Sequence, residues 1–260
     1  MKPNLSNFRA RRDKRHPGGA ATLLAAALFL LLGAAGATAN GARAETDAPA
    51  VPRDAAAPGR PAALDALVKG LQARYERLED FKARFEQQSR LEAAGSAQIA
   101  RGEVFFQKPG RMRWNYETPE PQQILISEGK LTQYVPADKQ IVVQGLDTNR
   151  VEYAFLTGLG ELENEFNIRW AEPRRRPDDP LEYIELTPRD ADASFARLVL
   201  GVETRGHRIL ATEVKDFLGN VTSLRFEKLQ DNVGLGADVF AINKPAGVDV
   251  IDMTDGWTTP

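Results

Sequence analysis

At Phe81 the spacing of apolar residues changes from helical to alternating, and strand-like alternation then dominates the chain. Upstream, Leu64, Leu67, Val68, Leu71, Tyr75 and Leu78 share one face of a helix. Downstream, Phe81, Ala83 and Phe85 alternate with Lys82, Arg84 and Glu86, a period of two that belongs to strands. Further short runs of strand character cover 97–107, 111–116, 122–127, 131–135 and 140–144. Turn signals divide them: Lys108-Pro109-Gly110, Thr118-Pro119, Glu128-Gly129 and Pro136-Ala137-Asp138. The rhythm breaks over 150–163, where Val151, Tyr153, Ala154, Phe155, Leu156 and Leu159 suggest one or two short helices. Strands resume at 166–171, 181–186, 195–202, 207–216 and 221–227, with Arg205-Gly206 and Gly219-Asn220 as hairpin turns. Such regular spacing predicts an antiparallel meander rather than βαβ units. The expected fold is mainly β with helices (α+β): ten or eleven strands, a leading helix and a central helical insertion.

The residues ahead of the helix read differently. Residues 1–39 hold six bases and one acid, then an apolar stretch from Ala20, then Ala37-Thr38-Ala39. That is the layout of a secretory signal peptide, with Ala42-Arg43-Ala44 as a second cleavage point. An uncleaved membrane anchor is the alternative. Residues 40–63, rich in Ala and Pro, have almost nothing to bury and are expected to be a disordered leader. The folded domain is then 64–260, long enough for a substantial single core.

Composition removes several kinds of chemistry. The chain has no cysteine, which excludes disulfides, a thiolate nucleophile, Cys-based metal sites and attachment of a lipid through a thioether. Of its two histidines, His16 lies in the leader and His207 stands alone in the body. A multi-histidine metal site is therefore excluded, and no metal or cofactor is expected. Residues 40–260 carry 28 bases against 35 acids, so the exported body is acidic and has no general attraction for nucleic acid.

The polar motifs favour bland readings. Pro173-Arg-Arg-Arg-Pro-Asp-Asp-Pro180 nearly cancels its own charge and reads as a solvated loop. His207 follows Arg205-Gly206 and reads as a surface histidine at a strand start, since no G-x-S-x-G nucleophile motif accompanies it. The apolar strands are more informative. Met112, Trp114 and Tyr116 share one strand face, while Arg111, Arg113 and Asn115 share the other. Such a face suits ordinary core, and it equally suits the wall of a cavity within a curved sheet.

Four segments in order tip that balance. Phe81-Lys-Ala-Arg-Phe85-Glu-Gln87 follows the amphipathic helix, and Gly102 to Trp114 (GEVFFQKPGRMRW) comes next. Ile124-Leu-Ile-Ser-Glu-Gly129-Lys130 follows, and Phe240 to Asp252 (FAINKPAGVDVID) closes the chain. Behind a signal peptide, these segments resemble the LolA family of periplasmic outer-membrane lipoprotein carriers, over about 64–252. The resemblance implies an open, incomplete antiparallel β-barrel of about 11 strands, with a helical lid over an apolar cavity. It implies a monomeric periplasmic chaperone, not an enzyme. Such a chaperone receives acylated lipoproteins from an inner-membrane ABC transporter and delivers them to the outer-membrane receptor LolB. LolB has a related fold but is itself a lipoprotein, an identity that the missing cysteine excludes here.

Site residues follow from strand period and this resemblance together. Phe85, Phe105, Met112, Trp114, Leu125 and Tyr134 are expected in the acyl-chain cavity, with Phe105 and Leu125 resting mainly on the resemblance. Leu71 and Tyr75 on the first helix, with Phe155 and Leu156 in the insertion, are expected in the lid. Family members place an arginine before the proline of the K/R-P segment, where it bonds lid carbonyls. Here that position is Lys108, which carries a charge but no planar fork, so either a looser latch or an ordinary solvated lysine is expected. Two other functions are weighed: a lipid-sensing or regulatory domain of the same fold, and a hydrolase built on His207 or a carboxylate pair.

Overall fold

The computed structural model describes residues 60–146, 162–191 and 193–254. Helix α1 (Ala62–Arg77) opens the described chain. Its buried residues, Leu64, Leu67, Val68 and Leu71, form an i, i+3, i+4, i+7 stripe, so one face seeks a partner. Asp65 in the first turn and Arg74 and Arg77 in the last complement the helix dipole. The helix gives way at Leu78, whose backbone is extended.

Twelve strands follow among the described residues: β1 (Asp80–Leu91), β2 (Ser96–Gln107), β3 (Arg111–Thr118), β4 (Gln122–Ser127), β5 (Lys130–Val135) and β6 (Gln140–Gly145), then β7 (Phe166–Trp170), β8 (Glu182–Pro188), β9 (Arg197–Val202), β10 (Ile209–Lys215), β11 (Val221–Asp231) and β12 (Asp249–Asp252). They form one sheet in the order β12-β6-β5-β4-β3-β2-β1-β11-β10-β9-β8-β7. Two meanders, β1 to β6 and β7 to β11, are thus joined where β1 pairs antiparallel with β11. Only β12 pairs in parallel, on β6. The sheet is open, with β7 and β12 at its edges. A four-residue helix, α2 (Leu162–Glu165), leads into β7.

Register assigns the faces. Phe81 sits opposite Phe106 and Phe106 opposite Met112, which in turn faces Ile126. Phe85 faces Phe226 across the join, and Leu224 faces Thr212. These positions make a continuous inner face, and the stripe of α1 packs on it in one apolar core. The outer face is covered in two places. A 3₁₀ turn (Ala237–Phe240) crosses β3, where Arg113 donates to the carbonyls of Val239 at 2.7 Å and Ala241 at 2.9 Å. A smaller cluster of Ala171, Leu181, Tyr183, Val199 and Ala211 lies outside β8–β10.

Several expectations need correction. The 173–180 segment is the exposed loop expected, but it is also tied down. Arg174 stacks on Trp170 at 3.6 Å, Arg176 lies over Tyr183 at 4.1 Å, and Asp179 accepts from Tyr183 and Arg225, each at 2.7 Å. The tenth strand begins at Ile209, not at 207, because His207 has φ 54° and belongs to a turn closed between Glu203 and Arg208. β12 adds a strand that the tail's sequence did not announce, and α1 starts two residues before position 64. The central insertion falls mostly on residues 147–161, outside the described residues.

Candidate functional site

The inner face of the sheet and the last turn of α1 do not close completely. Between them lies a cavity of about 90 Å³. Tyr75 and Leu78 roof it; Phe106, Met112 and Trp114 come from the first meander; Leu198, Val214, Leu224 and Phe226 come from the second. Arg74, Arg208 and Asp231 form its polar rim. A wall built by alternation from two meanders is apolar because every second residue of each strand points inward.

Polar contacts fasten the roof at the rim. The ammonium of Lys108, from the β2–β3 turn, donates to the carbonyl of Tyr75 and, at 3.2 Å, to that of Glu76. These carbonyls end α1, where the helix runs out of N–H donors and only the Leu78 N–H reaches that of Tyr75, at 3.3 Å, so a cation is well placed there. Arg74 donates to the Gly206 carbonyl at 3.1 Å and pairs with Asp231 at the end of β11. The imidazole of His207 lies directly on α1 at Gly70, where a methyl group would fall 2.4 Å from its Nε2. At the other end of the helix, Arg60 bridges Asp65 and Glu163. Burial pushes the Tyr75 phenol well above its ordinary range, so it stays neutral.

The expected site residues divide. Met112, Trp114 and Tyr75 line the cavity. Phe85 stands behind the wall, its ring 4.9 Å from Trp114 in an edge-to-face pair. Leu71 is fully buried in the core under α1. Lys108 reaches the helix carbonyls. Phe105, Leu125 and Tyr134 lie on the opposite face of the sheet. Phe105 pairs with Arg113, Leu125 with both Arg113 and Thr132, and Tyr134 with Gln123 and Ile141. The cause is legible in the sequence. Phe105-Phe106 and Ile124-Leu125-Ile126 are apolar without alternation, so period could not say which member faces inward. Phe155 and Leu156 lie outside the described residues.

His207, Gly70, Arg74 and Asp231 escaped the sequence reading as lid contacts. A glycine within a helix is the one local mark, at Gly70; nothing local marks the others, because each meets its partner across more than 100 residues of chain. Leu224 and Phe226 on β11 are wall residues that the sequence reading also missed, though their alternation with Arg225 and Glu227 is a signal that could have found them. Among the described residues, no three His, Asp or Glu side chains gather as metal ligands, and no helix is long and apolar enough to cross a membrane.

Fold and cavity together define a class: open antiparallel sheets that carry an amphipathic helix over an apolar hollow. The family model for the outer membrane lipoprotein carrier protein LolA matches residues 76–243. The chain belongs to that family. It is 32% identical over 187 residues to the outer-membrane lipoprotein carrier protein of Alkalilimnicola ehrlichii, covering 71% of this chain and 83% of that one. With the carrier protein of Cupriavidus pinatubonensis it shares 30% identity over 197 residues, covering 74% and 90%. A crystal structure of a LolA superfamily protein from Nitrosomonas europaea covers 69% of this chain and 97% of its own at 13% identity, with a TM-score of 0.40.

Proposed function

We propose that this protein is a periplasmic chaperone that shields the acyl chains of lipoproteins bound for the outer membrane. The observation that carries the reading is the apolar cavity roofed by a polar-fastened helix, in a chain of this family. Residues 1–39 act as the export signal and 40–63 as a leader. An inner-membrane ABC transporter loads the carrier, and the receptor LolB unloads it. Met112, Trp114 and Tyr75 touch the acyl chains, and Lys108 is the lid latch.

Energetics support a carrier that opens. Burying one methylene is worth about 0.8 kcal/mol, so a sixteen-carbon chain gains about 12 kcal/mol by leaving water. A hollow of about 90 Å³ is far smaller than the roughly 300–1,000 Å³ of sites for drug-sized ligands. Acyl chains therefore enter only when α1 lifts. Its Leu64, Leu67, Val68 and Leu71 stripe then packs on alkyl chain instead of on the sheet. A few polar contacts at the rim set the cost of opening, and cargo burial exceeds it.

The test is co-purification. The protein is isolated from cells that make a tagged outer-membrane lipoprotein while their own carrier is depleted. Acylated lipoprotein bound to it is the expected result. Recovery of empty protein alone, with growth not restored, would refute the proposal.

A further inference from the structure

Below its charged rim the cavity wall is mostly hydrocarbon, with the hydroxyls of Tyr75 and Thr212, and it holds one buried donor without a partner. Trp114 is 3% exposed and lines the cavity, and its indole Nε1–H has no hydrogen-bond acceptor among the described residues. The other buried side-chain nitrogen in that state, Nε of Arg197, belongs to a guanidinium paired with Glu185 and Glu213 and does not line the cavity. Tryptophans in cores ordinarily find a partner, since an unpaired buried donor is costly. The rings nearest the indole are Phe85 at 4.9 Å and Phe226 at 6.4 Å, and a π face is a weak acceptor.

Position gives the donor a meaning. Asp231 at the rim pairs with Phe81, so the Phe81–Phe106–Met112 row lies level with the rim. Trp114 stands in the next row, opposite Val104 and Ile124, about 7 Å further along the strand. Beyond it the wall continues through Leu224, Val214 and Leu198, with the Thr212 hydroxyl opposite Leu224 and no further buried, unpartnered nitrogen. An acyl lipid has one strong acceptor, its ester carbonyl, at the head of a long alkyl chain. A chain laid with its carbonyl one row below the rim would run onward along apolar wall.

We infer that Trp114 is a specificity-determining residue whose indole N–H donates to no group of the protein because it donates to the ester carbonyl of the bound acyl chain, fixing how far the chain enters. The inference rests on the carrier reading and adds that the cavity distinguishes esters from plain alkyl chains.

The experiment compares two probes of equal length, 1-palmitoylglycerol and its ether counterpart 1-O-hexadecylglycerol. Each competes with a fluorescent apolar dye on the purified protein. The unaltered protein should bind the ester about five- to tenfold more tightly, the range of a single buried hydrogen bond. In Trp114→Phe the ratio should fall below about twofold, since lost packing weakens both probes alike and leaves the ratio to report the bond. A second measurement needs no variant at this position. The Trp114 Nε1–H proton resonance, assigned by elimination with Trp170→Phe and Trp257→Phe, should move downfield with the ester and not with the ether. Equal binding of both probes by the unaltered protein would overturn the inference and leave the carrier reading standing. Binding of neither would overturn both.

Discussion

Replacing Lys108 with Met would test whether the lid is held by its helix end. The ammonium makes two hydrogen bonds to the terminal carbonyls of α1, those of Tyr75 and Glu76. Bonds to a charged group are worth about 1.5–3 kcal/mol when buried. Lys108 is half-buried and the released carbonyls can take up water, so the lower end applies, about 1–2 kcal/mol for the pair. Met keeps the length and apolar stem, and so isolates the charge and its bonds. The loss falls on the closed state alone, because nothing holds Lys108 to the helix once the helix lifts. Closed-to-open ratios should therefore drop about 5- to 30-fold. Hydrogen exchange followed residue by residue reads this directly. Amides of α1 should exchange faster by that factor, while those of β1, β2 and β11 stay unchanged. Lys108→Arg should restore protection, since its fork can serve the same carbonyls. Unchanged exchange in α1 would refute the latch. Equal acceleration throughout the sheet would show that Lys108 supports the whole fold instead.

Three further outcomes follow from the geometry. Gly70→Ala gains helix propensity of up to about 1 kcal/mol, yet it drives a methyl into the His207 imidazole at 2.4 Å. Thermal melting should rank the double variant Gly70→Ala with His207→Ala above Gly70→Ala alone by about 2–4 °C, and equal values would refute the contact. Asp80, 4% exposed, accepts three backbone N–H groups, from Val233 at 2.7 Å, Gly234 at 2.9 Å and Leu235 at 3.0 Å. Asp80→Asn should cost about 1–3 kcal/mol, seen as a lower denaturant midpoint with an unchanged slope; a midpoint within error of the parent would contradict it. Burial raises the phenols of Tyr75 and Tyr116 above their ordinary 10.0. The folded state thus keeps protons that the unfolded chain loses, so their contribution is full below about pH 10 and declines as pH rises beyond it. Melting temperature should fall more shallowly above pH 10 in Tyr116→Phe than in the parent protein, and parallel curves would refute that assignment.

How much of this was legible depends on the range of the interaction. Strand period is local, so Met112, Trp114 and Tyr116 were placed on one inner face from the sequence, and their register confirms it. The same rule fails where neighbours are all apolar. Nothing in Phe105-Phe106 says which ring faces the cavity, and the answer comes from Arg113, whose bonds to residues 239 and 241 set the outer face of β3. β12 was illegible for a related reason. Its residues Val250 and Ile251 are both exposed, so it has no buried face and no alternation to reveal it.

The lid shows the limit most clearly. The stripe on α1 announced that some surface lay beneath it, and the family resemblance pointed to Lys108. Neither pointed to the β9–β10 turn, which grips α1 through Gly206 and His207. No catalytic motif surrounds His207, and its contribution is shape: an imidazole fitted where Gly70 offers no side chain. A glycine in mid-helix normally costs stability, so the exception signals a close approach. The useful sequence signal was therefore in the helix rather than in the histidine. The two hairpin turns hold the same helix from two sides, Lys108 through charge at its end and His207 through fit at its middle. Opening must break both, which makes the rim a joint determinant of how readily cargo enters and leaves.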